Sequence, residues 1–213
     1  MTITNGLLTA SEYTFYTGAD APLGLRLSQW ETAIEVASRW VEQHCGRQFH
    51  ETDTAASPTP SARYFEATGD KVQITDCQSV TIVATDTLDD GTYSTTVPAS
   101  DYQLLPVGGF DDLLGVSVPY TAIKQTVWAT WPVGYRERPI KVTGLWGWAT
   151  VPVAVKRATA ILAQDLLRDP ETNFGGLVAQ SDGVVLGSRV PTRTVTLLDP
   201  YVRTIRAPGV QVA

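Results

Sequence analysis

The amino-acid sequence predicts an α+β protein: a small helical bundle base with a large antiparallel β insertion between the first long helix and the C-terminal helices. Three observations predict it. Apolar residues recur at three- and four-residue spacing from 27 to 45 and again from 151 to 166. Between 62 and 148 the period falls to two, with turn residues between the runs. Acids also crowd into the middle of the chain, where eleven stand against only Arg63 and Lys71 from Gln48 to Tyr120. The expected divisions are residues 1–47, an N-terminal segment and the first long helix; 48–149, the acidic β-rich insertion; and 150–213, the C-terminal helices and a basic tail.

Residues 1 to 25 are mixed, and Ser11 and Glu12 mark a short helix start. The segment 27–45 then reads as an amphipathic helix. Leu27, Trp30, Ile34, Ala37, Val41 and Cys45 form its apolar face, Glu35 and Arg39 are spaced to pair, and Gly46 is a stop. A Pro-containing loop follows. The strand candidates are the runs ARYFEA, KVQITD, SVTIVAT, TYSTTV, DYQLLP, QTVWATW and PIKVTGLWGW, with a tight hairpin turn expected at Asp90-Gly91. Residues 106–120 read as a looser, projecting loop. Pro152 opens the next helix, where Val151, Val155, Ala158, Leu162 and Leu166 share a face opposite Arg157, Gln164 and Arg168. A Gly-rich link and a last short helix complete the chain.

The chain has 213 residues, 43% hydrophobic content, net charge -6 and a sequence pI near 4.9. That suffices for a packed core and argues against general affinity for DNA. The two Cys make no disulfide framework, no basic-plus-apolar leader is visible, and no apolar run reaches the roughly 18 residues of a membrane span. A cytosolic product with reduced thiols and no membrane contact is expected.

Catalytic, metal and cofactor signatures are missing from the pattern, so no enzyme, no metal site and no cofactor are expected. His44 and His50, with Cys45, lack the further ligands a metal would need. The cluster Asp86, Asp89 and Asp90 resembles the start of a calcium loop, but Val97 stands where a bidentate Glu belongs. No Gly-rich phosphate loop and no nucleophile elbow occur. Six Trp remain. Trp30 sits at a core position and Trp40 lies off the central stripe, toward a neighbour. Trp146 and Trp148 read as sharing a strand face that packs on the following helix, and Trp128 and Trp131 flank the preceding strand.

The segments ASRWVEQHCGRQF (37–49), PIKVTGLWGWATVPVAVKRATAILAQDLLRD (139–169) and LLDPYVR (197–203) occur in the order seen in the head-to-tail connector (adaptor, head completion) proteins of long-tailed double-stranded DNA phages, a family the chain resembles. The insertion at 48–138 is longer and more β-rich than a minimal adaptor needs. The resemblance implies a structural virion protein of the neck, made in the host cytoplasm. Such a protein forms a homo-oligomeric ring of about twelve copies beneath the portal protein. The ring extends the DNA channel without sequence-specific binding and joins the head to a stopper or tail-completion protein.

Under that reading the tail from Ser188, with four Arg against Asp199, is the expected portal-binding segment: Arg189, Arg193, Leu198, Tyr201, Arg203 and Arg206. The competing reading has Leu197, Leu198 and Tyr201 closing the chain's own bundle. Gly108, Gly109, Phe110, Asp111 and Asp112 are expected to face the lumen or the next neck protein, and Trp40 an adjacent subunit. The alternative from another class is a carbohydrate- or protein-binding β module of another virion or surface assembly.

Overall fold

The computed structural model describes residues 6–20, 25–50, 58–111, 115–126, 131, 137–168, 177–180, 183–186 and 191–203. The chain divides into two compact units, one made of 1–47 and 151–213, the other of 48–150.

The first unit is helical. Helix α1, Ala10–Thr17, is defined at both ends by its sequence. Thr9 accepts from the Glu12 amide and the Glu12 carboxylate accepts from the Thr9 amide, a reciprocal capping box. Gly18, at φ 67°, closes the helix in the left-handed conformation and donates to Thr14. Helix α2 spans Leu25–Cys45 and α3 spans Val153–Arg168, and the two pack against each other. From α2 the buried residues are Ala33, Ile34, Ala37, Ser38, Val41 and Cys45; from α3 they are Val155, Ala158, Thr159, Ala160, Leu162 and Ala163.

So many small residues let the backbones approach closely. The hydroxyls are absorbed locally, with Ser38 donating to Ile34 and accepting from the Leu7 amide, and Thr159 donating to Val155. The expected α3 face is turned slightly, because Leu166 is 38% exposed while Thr159 and Ala163 are buried. Arg39 is held by Glu42 at 2.9 Å, one turn on along the helix. Helix α4, Thr192–Leu198, runs into a 3-10 turn at Asp199–Tyr201 and packs on α3.

The second unit is an antiparallel sheet of seven strands. In chain order they are β1 (Ser61–Phe65), β2 (Ala67–Thr68), β3 (Lys71–Thr85), β4 (Thr95–Thr96) and β5 (Tyr102–Leu105). A separate small hairpin follows, β6 (Phe110–Asp111) and β7 (Val116–Ser117), before β8 (Tyr120–Gln125) and β9 (Ile140–Trp146) return to the sheet. The spatial order is β1-β9-β3-β8-β5, with β2 and β4 also on β3. The two runs KVQITD and SVTIVAT are thus one 15-residue strand. Its first half pairs with β8, its second half with β9, and the register slips between Cys77 and Ser79 and again between Val80 and Ile82.

Gly144 lies against the first slip. A side-chain carbon there would overlap the Ser79 carbonyl oxygen and come within 3.1 Å of the Cys77 sulfur. The core behind the sheet is Val72, Ile74, Cys77, Val83, Ile123, Trp131, Ile140, Val142 and Trp146.

Several local expectations are corrected. The β3–β4 connection covers 86–94 instead of a two-residue turn, because the buried Asp86 carboxylate draws the loop inward, accepting from the amides of Asp90 (3.2 Å) and Gly91 (2.8 Å). Strand β8 lies at Tyr120–Gln125, earlier than the expected QTVWATW run, whose residues 127–130 are outside the described ones. The Gly-rich link contains a further antiparallel hairpin, β10 (Leu177–Gln180) with β11 (Gly183–Leu186). In the sequence two short apolar runs flank Ser-Asp-Gly, a hairpin signal in its own right.

Gly144→Ala is expected to destabilise the chain by about 1–3 kcal/mol, the range for forcing a methyl group into filled space; equilibrium denaturation checks it, and an unchanged midpoint would contradict the contact. Glu12 gives a pH-dependent case. Burial pushes its carboxyl up, but the Lys156 ammonium at 2.5 Å and the Thr9 donors outweigh this, and the net pKa is lowered. A lowered folded-state value means stabilisation that is present above the ordinary Glu range and lost as pH falls through the folded pKa. Because the pair is partly exposed, Glu12→Gln is expected to cost only about 0.5–1 kcal/mol at neutral pH. Denaturation curves of the two proteins should converge in acid.

Candidate functional site

The C-terminal segment is built from α4 and the turn after it. Pro191 starts the helix, and Asp199-Pro200 tightens its end into the 3-10 turn. Leu198 is completely buried and Tyr201 is 8% exposed, so both close the chain's own bundle, and the expectation that they face a partner is corrected. A seven-residue helix offers about two turns. Its single apolar side is consumed by α3. The segment is also tied by backbone, since the Arg203 amide donates to the Cys45 carbonyl at 2.7 Å, where α2 ends. Arg193 is exposed and Arg203 half-buried; Arg189 and Arg206 lie outside the described residues.

The acidic loop is more regular than its composition suggests. Phe110 pairs with Ser117 and Asp111 with Val116, and Gly109, at φ 62°, accepts from Val118. The Gly109 backbone sits so near the Tyr120 ring that a side-chain carbon would meet it at 3.4 Å. Gly108 and Phe110 are exposed, Gly109 and Asp111 are half-buried, and Asp112 is outside the described residues. The loose-loop expectation is therefore corrected to a small paired hairpin. Glycines supply the turns, and Val116 and Ser117 supply the second strand.

The aromatic residues divide by environment. Trp146 is 1% exposed; it packs on Phe65 at 5.7 Å, donates to the Ser61 carbonyl, and carries the Arg63 guanidinium 4.6 Å above its ring. Arg63 also donates to Thr75 and Gln48. Gly147, at φ 95°, turns the chain after β9, so Trp148 leaves the strand and packs on Phe49 at 5.4 Å. The two Trp do not share a strand face. Trp131 is buried, donating to Asp70, and Trp128 is outside the described residues. Trp30 meets Tyr13 edge-on at 4.6 Å. Trp40 is half-buried and its ring lies flat on His44, with centroids 4.8 Å apart and planes within 9°.

The β unit also has an open groove of about 490 Å³, lined by Tyr64, Asp86, Gly91, Tyr93, Glu137, Arg138 and Pro139. Tyr64 and Tyr93 sit 5.1 Å apart, tilted by 49°, and the Tyr93 hydroxyl donates to the Arg138 carbonyl. The Asp86 carboxylate is occupied by backbone amides, which leaves Glu137 and Arg138 as the exposed charges. Sequence reasoning missed this groove because Tyr64, Tyr93 and Glu137 come from three distant segments. It also missed Phe15, which is 83% exposed on α1.

Among the described residues no cluster of three His, Cys, Asp or Glu is placed to hold a metal ion, and no helix is long and apolar enough to cross a membrane. His44 is exposed while the adjacent Cys45 is fully buried, so the two diverge.

No protein-family model and no curated protein matches the chain. Solved structures do. One chain in the neck of an empty gene transfer agent (GTA) particle, computed with C6 symmetry, is 16% identical, with a TM-score of 0.56 over 99% of this chain and 96% of that one. A chain of the virion of the native GTA particle gives 0.55 at 16% identity, over the same shares of the two chains. One in the neck of the native particle computed with C12 symmetry gives 0.54 at 17%, again over 99% and 96%. At such identities the likeness is one of fold, and it runs through both units.

Burial pushes the Cys45 thiol up to about 11 and the Cys77 thiol up to about 12. Both are then neutral at pH 8, where an ordinary thiol is partly ionised. The native protein is expected to resist alkylation at that pH, and the urea-unfolded chain to take up label at both cysteines. Rapid labelling of either thiol in the native state, followed by mass spectrometry, would contradict this burial.

Proposed function

We propose that this chain is a structural protein of the neck of a phage-like particle, a head-to-tail adaptor whose copies form a ring beneath the portal. The observation that carries the reading is the fold likeness to chains of GTA necks and virions across nearly the whole length of both proteins. One of those necks is computed with C12 symmetry, which supports a ring of twelve copies. In this reading the ring extends the DNA channel and joins the head to a stopper or tail-completion protein.

The distribution of charge supports a conduit. The β unit has twelve acids and six bases, a net -6, while the helical unit has ten of each. A ring whose subunits carry a negatively charged unit lets DNA pass without adhering. Residues 108–112, which include the first strand of the β6–β7 hairpin, are the proposed contact with the lumen or the next neck protein. Arg193 and Arg203, with Arg189 and Arg206, are the proposed contacts with an acidic rim of the portal.

A second reading has one observation in its favour. The Tyr64–Tyr93 groove, with an exposed carboxylate and a guanidinium at its edge, has the makings of a carbohydrate- or peptide-binding site on a β module. Titration with glycans, read by chemical shifts of the two Tyr rings, separates it from the first.

Imaging of particles that contain the chain tests the neck reading directly: a ring of this fold under the portal is expected, and its absence from the neck would overturn it. For the tail, charge reversal is a cleaner probe than truncation, which would also remove buried Tyr201. Arg193→Glu with Arg203→Glu is expected to leave a folded protein that joins portal-bearing heads less well. The deficit should be largest at low salt and shrink as salt screens the parent's attraction. Equal joining at every salt concentration would remove the Arg contacts from the proposal.

A further inference from the structure

Helix α2 carries more than one organised face. Its buried side is Ala33, Ile34, Ala37, Val41 and Cys45. About 100° round the helix, at four-residue spacing, lies a second row of Val36, Trp40 and His44. Val36 is 46% exposed, Trp40 is half-buried and His44 is exposed. The stacking of Trp40 on His44 lays the indole along the helix as a flat plate. Glu31, Glu35 and Glu42 occupy the opposite flank.

Helix α1 carries the converse shape. Phe15 is 83% exposed, the most exposed of the large apolar side chains described. It is not on a frayed end: α1 is capped at both termini, Glu12 ties it to Lys156 of α3, and Tyr16 meets the Phe15 ring edge-on at 5.4 Å. Scattered exposed apolar residues are ordinary. A rigidly mounted ring on one helix, and a row of Val, Trp and His over about two turns of another helix of the same unit, form a pair of unlike patches. Contact between copies around a ring requires two unlike patches on each subunit. A partner of another kind would call for only one.

We infer that Phe15 of one copy seats on the Val36–Trp40–His44 row of the next, making the head-to-tail contact between subunits. This rests on the ring reading and names the residues that would close it.

The double variant Phe15→Cys/Val36→Cys tests it. Cys45 and Cys77 are buried, so the introduced thiols dominate oxidation. Oxidising this full-length chain at high concentration, and in particles, should yield a ladder of covalent dimers, trimers and higher species. Each single variant alone, and a control bearing Leu88→Cys (74% exposed in the β unit), should give about tenfold less cross-linked product. Phe15→Ser and Trp40→Ala should each weaken self-association by about tenfold in sedimentation, as expected of a truncated aromatic anchor. Phe15→Ser should leave thermal unfolding unchanged.

A ladder that stops at dimers indicates a self-complementary patch and overturns the inference. So does a bridge formed only within one chain, or a yield no higher than the control. Particles that show the ring without this cross-link defeat the contact alone. Particles without a ring of this fold defeat the neck reading itself.

Discussion

Strand β3 must serve two different partners along its two halves, and the β unit is arranged around that requirement. Fifteen residues of uniform pleat would carry β8 and β9 straight past each other. The register slips near Cys77 and Val80 bend the strand, so that β8 takes one end and β9 the other. The bend is possible only where β9 gives way, and Gly144 is where it does. From that point the rest follows: Cys77 turns inward and bonds the Ser79 carbonyl, Trp146 reaches the Ser61 carbonyl, and Arg63 lies over the Trp ring. A glycine without which the bulge cannot close thus governs the packing of the largest side chains nearby.

Much of the architecture was legible because it rests on period. The α2 stripe and the start of α3 at Pro152 are readable from spacing alone, as is the change to alternation in the middle. Long β3 was not legible as one strand. A bulge interrupts alternation, so the residues between Asp76 and Ser79 look like a boundary between two strands. The short hairpins were hidden for another reason: a two-residue strand such as β6 has no period to detect, and its pairing depends on Gly109 and Gly115, which composition alone assigns to loop.

The candidate site shows a deeper ambiguity. Leu198 and Tyr201 on a short helix give the same pattern whether the helix closes its own bundle or waits for a partner, and only the position of α3 decides between them. Trp40 was noticeable as an aromatic off the main stripe. Phe15 was not, since a single Phe in a short helix is ordinarily assigned to the core. The two thiols fit the same principle in reverse. Cysteine is a reactive residue by type, yet burial without a nearby cationic partner strong enough to offset it leaves each as a small apolar filler.

The helical unit is discontinuous in sequence, and this has a consequence for synthesis. Its α1 and α2 emerge from the ribosome before the 103 residues of 48–150, and α3 and α4 only after them. At translation rates of about 5–20 residues per second, the apolar face of α2 waits on the order of 5–20 s for its partner. During that interval Ile34, Val41 and Cys45 are open to chaperones or to other nascent chains. The intervening β unit, whose strands all lie within one contiguous segment, has everything it needs to fold in the meantime. The bond from Arg203 to Cys45 can form only once α4 has followed α3 out, so the helical unit closes after the β unit although it began before it.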